Sequence, residues 1–376
     1  MNPNHLYLSQ EAADLGVTRE MLERSAVSFG NNERIASLLS KAADGHSVTV
    51  GIIGGSISQG VVTTSYEKCY PKRLEAWWKE NFPQAEITLV NAGLGSTDSV
   101  LGVHRLEQDL LKYRPDFVVV EFAANDSQGL LWAQSYEAMI RRIWESPSKP
   151  GIMLMFMNYQ DGTTEQNAEI PIGTYYQLPM ISYHDAVMPE IAAGRLKWNE
   201  ISPDIVHPND RGHGIAACLI TAMLDSFKRR LPDKDIPISL PVPMRPLRFM
   251  DARLIHSGNC RPEKWGSFHA DFGLLKPHYP LLEDCWVHYG SGDEPLRLEN
   301  VSADTLFLIY RKTGDEDNGI VRVTVDDNIV TEINTKYDGG DYAAYEQIYS
   351  GSASKHNITL QPVGGKLVLL GIMASG

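Results

Sequence analysis

Cysteine is scarce and scattered in this sequence: Cys69, Cys218, Cys260 and Cys285 stand far apart, with no C-x-x-C pair. A zinc cluster or a disulfide framework is therefore not expected, whereas buried free thiols in a reducing compartment are. No apolar run reaches the length of a membrane span. The opening residues, MNPNHLYLSQEAADLG, lack a basic stretch followed by an apolar core. No secretory signal is read there, and a cytoplasmic location is expected. Basic residues are also in short supply, 34 Lys and Arg against 47 Asp and Glu, for a net charge of -13. Binding a phosphate backbone needs clustered cations, so neither nucleic acid nor an anionic membrane is expected as a partner.

What is present divides the 376 residues into two patterns. In the first half, short runs rich in apolar and β-branched residues alternate with helical periodicity. VTVGII (48–53), ITLV (87–90), FVVVEF (117–122) and IMLMFM (152–157) are separated by helical patterns near 70–81, 99–112 and 136–144. Strands that are apolar throughout, with helices between them, make βαβ units and a parallel sheet covered on both faces. A last long helix is expected near 210–230, with an apolar stripe through Ile220, Leu224, Phe227 and Leu231, ending at Pro232. The proline-rich segment 236–246 then marks a linker. Beyond it the helical period is lost, and runs at 306–313, 320–328, 356–363 and 366–373 alternate as strands between Gly- and Asp-rich turns.

The expected fold class is α/β: a three-layer α/β/α domain with a parallel sheet over 1–235, including a helical extension over about 1–46. An all-β, jelly-roll-like sandwich follows over 247–376.

Four patches carry chemistry. GGSIS places Ser56 directly after the first strand, where ligands bind in open α/β sheets. NAGLGSTDS (91–99) offers backbone N–H groups after the second strand. EFAANDS (121–127) offers the amide of Asn125 after the third. SPDIVHPND (202–210) sets Asp204 three residues before His207 between two prolines that stiffen the turn. Each patch alone has a plainer reading as a turn, a βα loop, a helix N-cap or a surface loop. Together they supply a hydroxyl nucleophile, oxyanion donors, a general base and a carboxylate to orient it, which are the parts of an acyl-transfer site.

In this order the patches resemble the blocks of the SGNH (GDSL-like) hydrolase family, over residues from about Asn31 to Arg230. The resemblance implies Ser56 as nucleophile and first oxyanion donor, Asn125 as side-chain donor, and Asp204 with His207 completing the triad. No metal or organic cofactor is implied. Two departures stand out. The family's Gly-Asp-Ser is Gly54-Gly55-Ser56 here, and the glycine of the second block aligns with either Gly95 or Ser96, of which Gly95 is preferred. GGSIS, NAGLGST and VVEFAAND are similar to carbohydrate O-acetylesterases of this superfamily. Some of these carry a sandwich related to carbohydrate-binding modules, which KHNITLQPVGGKLVLLGI is similar to.

The expected activity is removal of O-acetyl groups from carbohydrate, with acetylated manno- or xylo-oligosaccharides as substrates and Trp265 and Trp286 as candidate sugar-stacking residues. The competing readings are a lipase or thioesterase for longer acyl chains, and a catalytically silent sugar-binding protein. Whether copies of the chain associate is left open.

Overall fold

The computed structural model describes residues 6–228, 239–275 and 280–376. Leu231, Pro232 and the start of the expected linker lie outside them. The chain divides into two compact units, Met1–Gly102 with Leu106–Pro246, and Val103–Arg105 with Leu247–Gly376.

Among the described residues of the first unit, six strands form one sheet: β1 (Ala26–Ser28), β2 (Val48–Gly54), β3 (Ile87–Gly93), β4 (Phe117–Glu121), β5 (Gly151–Phe156) and β6 (Met180–Ser182). Their spatial order is β1-β6-β5-β4-β2-β3. Every neighbouring pair is parallel except β1–β6, which is antiparallel. The helices are α1 (Gln10–Asp14), α2 (Arg19–Ser25), α3 (Glu33–Ala43), α4 (Ser56–Gln59), α5 (Tyr70–Asn81), α6 (Ser99–Asp109), α7 (Leu130–Glu145), α8 (Gln166–Tyr175), α9 (Tyr183–Ala192) and α10 (Asp210–Lys228).

Alternate strand residues serve the two faces, as the pleat requires. Val48, Val50, Ile52, Phe117, Val119, Met153 and Met155 share one core cluster with side chains of α3, α5 and α10. Val118, Val120, Ile152 and Leu154 between them are buried as fully. Burial on both sides explains why the sequence shows apolar runs rather than alternation. The N-terminal segment was expected to form a helical extension. It also contributes β1, a three-residue edge strand too short to show a period.

The chain runs from β2 outward to β3 and then returns to the other side of β2 for β4. The strand order therefore reverses between β2 and β4, and in open parallel sheets ligands bind at the carboxyl ends of the strands at such a point.

The second unit is antiparallel throughout its main ladder. Its strands are β7 (Arg253–Ile255), β8 (Phe268–Phe272), β9 (Asp284–Tyr289), β10 (Leu296–Lys312), β11 (Ile320–Val325), β12 (Asn328–Asn334), β13 (Tyr342–Gly364) and β14 (Lys366–Ser375). They are ordered β12-β11-β13-β10-β14-β9-β8, with β7 added on β14. The long strands β10 and β13 pair along most of their length through several register shifts. Side chains from β8 at one edge to β12 at the other meet in one core cluster. Asp326 and Asp327 between β11 and β12 have φ of 50° and 65°. Positive φ at both central residues is the signature of a tight hairpin turn, which accounts for the Asp-Asp-Asn run.

Candidate functional site

β2 ends at Gly54, and Ser56 begins the single turn of α4. As a first helical residue its N–H has no intrahelical acceptor and is left facing outward. The DxxH segment precedes α10, whose start is capped by the Asn209 side chain accepting from the N–H groups of Arg211 and Gly212 at 3.0 Å each.

The two segments meet. His207 Nε2 lies 2.9 Å from Ser56 Oγ, and His207 Nδ1 lies 2.8 Å from Asp204 Oδ2. Asp204 Oδ1 accepts from the N–H groups of Val206 at 2.8 Å and His207 at 2.7 Å. Partial burial works against ionisation of Asp204, but those two N–H groups and the imidazole outweigh it and hold the carboxyl below its ordinary range. The order hydroxyl, imidazole, carboxylate lets the ring take a proton at Nε2 while the carboxylate fixes the tautomer at Nδ1.

The turn itself is held from beneath by residues that carried no signal in the sequence. Trp198 Nε1 donates to the Asp204 carbonyl at 2.6 Å, and the buried Ser202 hydroxyl lies 2.8 Å from that carbonyl and 2.7 Å from the His207 carbonyl.

Asn125 sits just beyond β4, and its amide packs against Gly55. A Cβ on Gly55 would fall 2.3 Å from Asn125 Oδ1. Asn125 Oδ1 is buried without a partner. The carboxylate of Asp126 beside it accepts from the Ser99 N–H at the start of α6 at 2.7 Å, and burial raises its pKa well above the ordinary value.

The second block requires a correction. Gly95 was preferred as backbone donor, but its N–H is donated to Gln59 Oε1 at 2.6 Å. An N–H carries one proton, so this group is already committed. Ser96 has a φ of 59°, the left-handed conformation that favours glycine, and among the described residues its N–H has no protein acceptor. Asn91 is structural: its Nδ2 donates to the Ser58 carbonyl at 2.9 Å and ties β3 to α4.

Below α4 lies a buried polar group the sequence did not reveal. Glu121, the last residue of β4, is fully buried and accepts from Ser58 Oγ at 2.8 Å, while Ser58 Oγ lies 2.6 Å from Tyr70 Oη. The nearby backbone N–H groups of Gly55 and Ser58 favour its charged form, yet burial pushes its carboxyl up to about 8. His213 of α10 is fully buried and accepts the Tyr70 N–H at Nδ1, at 3.2 Å.

Of the two tryptophans of the second unit, Trp286 cannot serve as a stacking platform. Trp286 is entirely buried in the core of its sheet, so neither ring face can reach a sugar, and Trp265 packs partly buried against the same cluster. Among the described residues no group of three or more His, Cys, Asp or Glu side chains is arranged to hold a metal ion. No described helix is long and apolar enough to cross a membrane.

Residues 52–215 match the model of the GDSL-like Lipase/Acylhydrolase family. A two-domain esterase (CEX) active on acetylated mannans, co-crystallized with mannopentaose, is similar over 94% of this chain and 98% of its own. The TM-score is 0.87 and the identity 27%. A second structure of such an esterase gives a TM-score of 0.88 at the same identity and coverage. No curated protein matches the sequence.

Proposed function

The first unit belongs to the GDSL-like lipase/acylhydrolase family and the chain is a carboxylic ester hydrolase; from that premise we propose that it removes O-acetyl groups from mannan-type oligosaccharides or polysaccharides through an acetyl-enzyme. The observation that carries the mechanism is the unbroken hydrogen-bond line from Ser56 through His207 to Asp204. The likeness across both units to an esterase active on acetylated mannans favours manno- over xylo-oligosaccharides.

His207 Nε2 takes the Ser56 proton as Oγ attacks the ester carbonyl. The negative oxygen that forms is held by the N–H of Ser56, the amide of Asn125 and, in place of Gly95, the N–H of Ser96. The sugar alcohol leaves with the proton from His207. Water then gives a proton to His207 and attacks the acetyl-enzyme, releasing acetate and restoring Ser56. Asp204 stays ionised and stabilises the imidazolium in each step. The side chains of this line supply every proton transfer, and no metal or organic cofactor takes part.

A cytoplasmic location fits four cysteines that are all free, three of them buried. Acetate release should be measured across acetylated mannan, xylan, pectin and chitin fragments, with p-nitrophenyl esters from acetate to octanoate alongside. We expect preference for mannan and a steep fall beyond acetate. Ser56→Ala should abolish turnover with the fold retained, and full activity in that variant would remove the mechanism.

A further inference from the structure

Gln59 and Ser56 are the two ends of α4, three residues apart, so their side chains emerge on one side of that turn. Gln59 Oε1 accepts the Gly95 N–H at 2.6 Å. The open side of Gly95 faces both residues: a Cβ built there lies 3.0 Å from Gln59 Oε1 and 3.7 Å from Ser56 Cβ. The loop after β3 therefore lies directly against the nucleophile and is tethered to its helix by this side chain.

The loop needs a tether. Ser96 carries a Cβ in the left-handed region at φ 59°, a conformation that persists only when its surroundings impose it. Upstream, the Leu94 N–H reaches the Gly54 carbonyl at 3.1 Å, and the Thr97 hydroxyl closes the turn on the Leu94 carbonyl at 2.7 Å. Neither bond reaches α4. Asn91 does, but it acts within β3, before the turn begins. Gln59 is the side chain that joins the Leu94–Gly95 peptide, the one before the peptide that carries the Ser96 N–H, to the element bearing the nucleophile.

We infer that Gln59 is a positioning residue, whose amide oxygen holds the Gly95–Ser96 turn so that the Ser96 N–H points at the oxygen of the acyl group attacked by Ser56. The inference rests on the ester-hydrolase reading above. It explains why the Gly95 N–H is spent internally: the proton given to Gln59 fixes the peptide plane that aims the next one.

The test is Gln59→Leu, similar in size but without an acceptor, with Gln59→Met as a second variant should the first fold poorly. Turnover of p-nitrophenyl acetate is measured with thermal unfolding. A misaimed donor weakens the transition state more than the bound ester, so kcat should fall about tenfold with KM within twofold and little change in Tm. Ser96→Gly, which adopts the left-handed conformation without strain, should recover at least threefold of the loss when added to Gln59→Leu.

An unchanged kcat overturns the inference. A raised kcat overturns it too, since Gln59 would then be competing with the oxyanion. Parallel losses of kcat, KM and Tm without rescue would reduce Gln59 to a packing residue. Ser56→Ala is assayed beside these variants. Activity there defeats the underlying reading, whereas an inert Ser56→Ala with a fully active Gln59→Leu defeats this inference alone.

Discussion

Replacing Glu121 by glutamine should change how stability depends on pH, and the size of the change follows from the structure. The Glu121 carboxyl is fully buried under the nucleophile turn, with Oε1 unpartnered and Oε2 accepting from Ser58. Burial raises its pKa to about 8 from an ordinary 4.5. Between those values the folded chain keeps the proton and the unfolded chain has lost it. The folded state thus binds more protons, and stability declines as pH rises through that window. Glu121's favourable contribution is complete below about pH 4.5 and gone above about pH 8, a swing of about 5 kcal/mol. Glutamine has the same shape and does not titrate. Urea unfolding of both proteins at pH 5, 6, 7 and 8, followed by tryptophan fluorescence, should show the native chain losing about 4 kcal/mol relative to Glu121→Gln across that range. Other buried acids such as Asp126 and Glu169 remain in both proteins and cancel to first order. Two parallel stability profiles would refute the claim that Glu121 is held neutral at neutral pH.

Asn125→Ala should lower kcat for p-nitrophenyl acetate by on the order of 10²–10³, with a much smaller change in KM, because the lost bond forms with the transition state; an unchanged kcat would count against its oxyanion role. His213 acts on stability in the opposite direction to Glu121. Burial first, and Arg73 next, push its imidazole down to about 4, so the unfolded chain binds the extra proton as pH falls from 6.5. The folded state should lose about 3 kcal/mol by pH 4 from this group. In His213→Gln that loss should be missing from acid unfolding curves, and an identical acid slope would show the ring is not buried neutral.

The parts of this architecture legible in the sequence were those with a strong period or a rigid local device. The buried parallel strands announced themselves as continuous apolar runs, and Asp204 and His207 were bracketed by prolines. What escaped was decided by distant partners. Glu121 in FVVVEF reads as the polar end of a strand, since only the fold shows α4 closing over it. Gly95 was preferred to Ser96 as the residue aligned with the family's glycine. Only the fold shows that the Gln59 side chain, 36 residues earlier in the chain, accepts the Gly95 N–H. Trp286 was offered as a sugar platform on aromatic chemistry alone. Whether a tryptophan on a strand faces water or core depends on register, and here the register puts it inside. Strands of three residues, β1 and β6, are too short for any alternation to register.

The departure from Gly-Asp-Ser has a steric reason in this chain. Where α4 crosses the sheet, backbone meets side chain and backbone with no room between them. A Cβ at residue 55 would sit 2.3 Å from the Asn125 amide oxygen, and one at residue 93 would sit 2.3 Å from the backbone of both Ser58 and Gln59. Both distances lie far inside van der Waals contact, so any larger residue at 55 must push Asn125 aside. The N–H of Gly55 also favours the charged form of the Glu121 carboxyl beneath it. Gly55 is therefore clamped between a buried carboxyl and the amide proposed to face the oxyanion. A side chain at this position would trade directly against the placement of Asn125. The second glycine of Gly-Gly-Ser thus belongs to the placement of the Asn125 amide rather than to the flexibility of the turn.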